Sequence, residues 1–140
     1  RLSPELMQGM TLRLGGDPVA AKPYLDQAIE NYRQSLQANP DDFKILKPMC
    51  WAEGTADATG EAKKICQQAL EHLPDDAWDR NLHRSDIAGG FAMAGLNTEA
   101  LDLIESVLSD RAGPSHVELK LDPLLRSLHD EPRWQKLMVE

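Results

Sequence analysis

The chain has 140 residues, 41% of them hydrophobic but only 5% aromatic, and a formal net charge of −8. The acidic balance excludes the basic face that nonspecific nucleic-acid binding needs and disfavours adhesion to anionic membranes; no apolar run approaches the roughly 20 residues of a membrane helix. A core so poor in aromatics must be built from Leu, Ala, Ile, Val and Met, which suits close helix packing in one all-α domain better than a sheet.

The first predicted element is a helix around Gly9 and Leu12, turning at Gly16. A second helix follows from about Pro18 to Ala38. Asp17 suits its N-cap and Pro18 its first turn, and Pro23 falls early enough to be tolerated. Ala21, Leu25 and Ala28 are four and three residues apart and share one face. The run ends at Ala38-Asn39-Pro40-Asp41-Asp42.

The next helix is expected over Phe43 to Glu53, with Cys50 as its small contact residue. Pro48 should distort or shorten its first turns. A partner helix carries Ala62, Cys66 and Ala69, again four and three apart, and ends at His72-Leu73-Pro74-Asp75-Asp76. The two closing prolines are 74 − 40 = 34 residues apart. A proline ends a helix because it lacks the N–H and restricts the residue before it.

A third pair spans Ser85 to Leu108: Ala88 is its small residue, Phe91 its aromatic, and Gly95 lies near the turn. Asn97 or Thr98 can cap the helix that bears Ala100, Ile104 and Val107. Ala100 lies 100 − 62 = 38 residues after Ala62, which implies about four inserted residues near Asp79 to Leu82. Cys50 lies 50 − 9 = 41 after Gly9, or 34 + 7, so the second helix is longer by about two turns. The units are therefore about 2–42, 43–76 and 81–112.

These faces and the 34-residue spacing resemble the tetratricopeptide repeat family. The resemblance covers about residues 2 to 112, although most hallmark aromatics of the first helices are missing. It implies a right-handed α–α superhelix of about three helix pairs. The tail, 113–140, contains Leu121-Asp122-Pro123, Leu125-Arg126 and Asp130-Glu131-Pro132-Arg133-Trp134. It is similar to a segment that follows such repeats in bacterial winged-helix regulators, adenylate cyclases and Ser/Thr kinases. Its short helices should cap the array through Leu124, Leu125, Leu128, Trp134, Leu137 and Met138, since a solenoid end needs covering.

The resemblance implies a concave groove, lined by the first helix of each pair, that binds a protein or peptide. Its usual groove positions select Leu6, Met10 and Arg13, then Lys44, Lys47 and Trp51, then Leu82, Ser85, Gly89 and Met93, with Arg84 nearby. The groove would be apolar and mildly basic, suited to an acidic segment. The alternative is an accessory domain that regulates a fused DNA-binding or catalytic domain. The signalling context that the resemblance implies points to the cytoplasm, or to the periplasm for a membrane-anchored regulator.

Enzymatic chemistry is not expected. Cys50 and Cys66 occupy facing positions and are read as small core residues, with a disulfide the alternative for an exported chain. His83 and Asp86 are three apart on a helix but lack further metal ligands. Asp41-Asp42 and Asp75-Asp76 precede helices and favour their N-terminal dipoles. No cofactor or metal site is indicated.

Overall fold

The computed structural model describes residues 2–139. Six helices come first: α1 (Pro4–Leu14), α2 (Pro18–Ala38), α3 (Phe43–Thr55), α4 (Thr59–Leu70), α5 (Ala77–Met93) and α6 (Asn97–Leu108). The tail adds α7 (His116–Leu121), a 3-10 helix (Pro123–Leu128) and α8 (Pro132–Leu137). There is no strand among the described residues. The all-α expectation therefore holds.

α1 packs on α2, α3 on α4 and α5 on α6, and α3 is further flanked by α2 and α5. Each pair is closed by the same turn. In the first, the N–H of Gly16 donates to Arg13 O and that of Asp17 to Leu12 O. Asp57 and Ala58 repeat this on Gly54 and Glu53, and Gly95 and Leu96 repeat it on Ala92 and Phe91. This double bond pattern closes a helix around one left-handed residue. That residue is Gly16 (φ 91°), Asp57 (φ 58°) and Gly95 (φ 77°). The turns are 57 − 16 = 41 and 95 − 57 = 38 residues apart, the two offsets read from the faces.

Local chemistry explains most helix limits. Ser3, Asp17, Asp42 and Asp76 each cap the following helix through a side-chain oxygen. Pro18 opens α2, and Pro23 sits in its early turns. Three expectations need correction. α3 runs unbroken through Pro48, because buried Leu46, Met49 and Cys50 hold it on several sides; the proline removes only the bond to the Lys44 carbonyl. The inserted residues near Asp79 to Leu82 lie not between the units but inside α5, which starts at Ala77 rather than near residue 81. Neither Asn97 nor Thr98 caps α6. The turn at Gly95 puts Leu96 in the cap position, and the Asn97 amide instead donates to Glu131 Oε1 at 2.8 Å.

The reading of the cysteines as separate thiols is also corrected. Cys50 of α3 and Cys66 of α4 are joined by a disulfide, with Cα atoms 4.8 Å apart. Both residues are fully buried. Gly90 of α5 lies directly on the bond: a methyl group there would overlap Cys50 Sγ and lie 3.3 Å from Cys66 Sγ. One turn further along, a methyl on Gly54 would overlap the Gly90 carbonyl oxygen. The backbones of α3 and α5 thus touch, which only glycine permits.

The tail lies on the third pair. Leu124, Leu125, Leu128, Trp134 and Met138 are buried, and Leu137 is partly buried. Asp122 caps the 3-10 helix by accepting from Leu124 N at 2.9 Å. Leu124 seats against Gly89 of α5, and Ser127 Oγ donates to Ala92 O. Arg133 of α8 ties to Asp102 at 2.7 Å and to Glu105 at 3.0 Å on α6.

Candidate functional site

Phe43, Lys44, Lys47 and Trp51 recur at helical spacing along α3, so they share one side of it. Opposite them lie His83 and Asp86, one turn apart on α5. Lys47 Nζ donates to Asp86 Oδ2 at 2.8 Å and to His83 Nδ1 at 3.1 Å. The indole N–H of Trp51 donates to the Asp86 carbonyl at 2.6 Å. The ammonium also lies 5.3 Å from the Trp51 ring centroid, within cation–π range. The His83 ring meets Phe43 edge-on at 4.8 Å.

The arrangement fixes the charge state of the site. Burial, and then the Lys47 ammonium, hold the His83 imidazole below its ordinary value, with Asp86 pulling the other way. His83 is therefore neutral at neutral pH and accepts through Nδ1. Lys47 and Asp86 keep only 20% and 22% of their side-chain surface exposed. A partly buried pair of this kind is screened less than a surface one.

This cluster borders two hollows. One, of about 490 Å³, is walled by Phe43, Pro48 and Trp51 and edged by Lys44, Lys47 and His83. The other, of about 350 Å³, lies between α5 and α7 and includes Leu82, Pro114 and Leu121, with Asp86, Glu118 and Asp122 around them. The Lys47–Asp86 bond is the ridge between them.

Of the residues selected from the sequence, Lys44, Lys47 and Trp51 come together in the first hollow. The others do not join them. Met10 is half-buried against the core. Arg13 reaches both oxygens of Asp57 at 3.4 Å, beside a separate cavity of about 130 Å³ at the α1–α2 turn. Arg84 donates to Ser106 Oγ at 3.2 Å on the α6 side, because one residue along a helix turns the side chain by about 100°. Met93 and Leu6 are core residues, and Ser85 is buried, its hydroxyl donating to Leu82 O. Gly89 is covered by Leu124.

The selection missed Phe43, Pro48, His83 and Asp86. The His83/Asp86 spacing was visible in the sequence, but its third member is a cation from α3 rather than another ligand. Among the described residues no group of three His, Cys, Asp or Glu side chains could hold a metal ion. No described helix is long and apolar enough to cross a membrane. The chain matches no family model, no curated protein and no solved structure.

Proposed function

We propose that this chain is a protein-binding module of the tetratricopeptide type, a right-handed superhelical array of three helix pairs that holds a partner protein or peptide on its first-helix face. The observation that carries this reading is the apolar hollow on α3. Its aromatic walls, Phe43 and Trp51, are partly exposed, while Lys44 and Lys47 supply donors at the edge. Large apolar side chains in a hollow with a few polar anchors make an affinity site. The tail covers the equivalent face at Gly89, so α3 and the start of α5 carry the binding. The module belongs to a larger signalling or regulatory protein and performs no chemistry itself. The buried disulfide supports an oxidising compartment over the cytoplasm, because cytosolic thiols are kept reduced.

The test uses a partner recovered by affinity capture on the folded chain. Lys47→Glu and Trp51→Ala should each weaken its binding at least ~10-fold, or about 1.4 kcal/mol, with helical circular dichroism retained. Unchanged affinity in both variants would sink the reading.

A further inference from the structure

The two hollows on either side of the Lys47–Asp86 ridge carry opposite charge. Around the α3 hollow the ionisable side chains are Lys44, Lys47 and His83, with no carboxylate among them. Around the α5–α7 hollow they are Asp86, Glu118 and Asp122, with no base. Each hollow also has an apolar floor. On the α7 side Leu121 and Leu82, which line this hollow, are 76% and 38% exposed, and Val117, one turn before Leu121, is 58% exposed. Large apolar side chains exposed together around a hollow mark an interaction surface.

We propose, building on the protein-binding reading, that the groove takes a partner segment of mixed charge: two large apolar side chains, an acidic residue outside the one that enters the α3 hollow, and a basic residue outside the one that enters the α5–α7 hollow. Charge complementarity chooses this occupant over a uniformly acidic or basic one. A uniformly acidic segment would meet Lys44 at one end but Glu118 and Asp122 at the other, and like charges brought together across an interface disfavour binding. The ridge adds no net charge to either end, since Lys47 and Asp86 pair at 2.8 Å. Lys44 edges the first hollow and Glu118 the second, and both are exposed. They are the exposed charges that can select. Asp122 supports the assignment of the acidic end: burial, and the nearby Asp86 carboxylate, push its carboxyl upward against the Leu124 N–H bond that lowers it. A base from a partner would relieve that repulsion. The polarity also fixes which way round the segment lies.

A random peptide library displayed on phage and panned against the immobilised full chain tests this. Enriched peptides should carry the apolar–apolar core with an acid beyond one end and a base beyond the other. Fluorescence anisotropy should show such a peptide losing at least ~10-fold in affinity to Lys44→Glu and to Glu118→Lys. Panning on the Lys44→Glu variant should enrich bases at both ends, and on Glu118→Lys acids at both ends. Both substitutions are at exposed positions, and circular dichroism checks that the variants stay folded, since Glu118 accepts from the Ser115 hydroxyl at the start of α7. Peptides that need Trp51 but are indifferent to both charge reversals would overturn this proposal and leave the protein-binding reading standing. Peptides that also ignore Trp51→Ala, or a library with no enrichment, would overturn both. Self-association of the chain that Trp51→Ala abolishes would make a second copy the occupant and equally overturn the mixed-charge partner.

Discussion

The first and middle helix pairs are closed by the same turn, yet they are held together differently. In the α1–α2 pair the close approach is made by Gly9 against the flexible end of Leu25, and α1 leaves Met7 56% exposed on its outer side. In the α3–α4 pair the equivalent approach is a covalent bond, and α5 closes over it with the Gly90 backbone. α3 is thus fixed by α2, α4 and α5 at once, whereas α1 rests mainly on α2. The difference places the rigid part of the molecule directly behind the groove. Lys47 and Trp51 lie one turn or less from Cys50, so the disulfide side of α3 anchors the side that lines the hollow.

The sharpest way to break this comparison is to add the same methyl group to both seams. Gly90→Ala drives a carbon into a sulfur that cannot rotate away, with the Cys50 carbonyl 3.3 Å off on the same side. Overpacking a site with no give should cost about 3 kcal/mol or more. Gly9→Ala puts its methyl 2.6 Å from Leu25 Cδ2 and 2.8 Å from its Cγ, with the Leu25 backbone N 3.3 Å off; the buried leucine must shift, but its end can move where a disulfide sulfur cannot. The helix also gains about 1 kcal/mol from replacing glycine, so the net loss should be about 1 kcal/mol. Urea denaturation of the two variants measures the gap. Equal losses would show that the middle seam is no stiffer than the first.

Removing the covalent bond is the next largest effect. Cys50 and Cys66 close a loop with a sequence separation of 16, and a loop of that length restricts the unfolded chain by about 3 kcal/mol. The Cys50→Ala/Cys66→Ala double variant should lose about that much. Thiol titration of the unreduced protein in denaturant should find no free thiol, since both cysteines are bonded. If two thiols titrate, α3 is held by packing alone and the contrast with α1 shrinks to the fit of Gly90.

How much of this was legible beforehand divides along the same line. The helix pairs, the long α2, the Asp17 cap and the tail helices followed from local signals: proline and glycine positions, small residues four and three apart, and Asp-Pro starts. The left-handed turn residue of the middle pair did not, because it is Asp57 and not a glycine. The unbroken α3 was also hidden, since proline's local penalty says nothing of the burial that outweighs it. At the groove, Lys44, Lys47 and Trp51 could be selected because they share one helix. His83 and Asp86 belong to another helix whose start the sequence placed at residue 81 and not Ala77. The α5 selection of Ser85, Gly89 and Met93 fell on buried residues, and Leu124 of the tail covers this face at Gly89. The disulfide could be paired by position, but spacing alone does not distinguish two packed thiols from a bond.

The smallest expected effect lies on the seam between the two pairs, at Glu53. This α3 residue is 2% exposed, and its Oε1 has no hydrogen-bond partner. Arg33 of α2 approaches it only to 3.7 Å. Burial raises the Glu53 carboxyl above its ordinary value, Arg33 lowers it, and Glu61 raises it again. A carboxyl whose value is raised on folding holds its proton more tightly in the native state. Its contribution therefore favours the folded chain below the unfolded value and turns unfavourable as pH rises through the unfolded and then the folded value. Glu53→Gln keeps the shape and removes the buried charge, so it should stabilise the protein at pH 7, by about 1 kcal/mol or less. The advantage should fade toward pH 4, where the wild-type carboxyl is itself protonated. Urea midpoints for both proteins at the two pH values decide the matter. A variant less stable than wild type at pH 7 would mean that Arg33 more than offsets the burial of Glu53, and that the first pair grips the middle one through this charge.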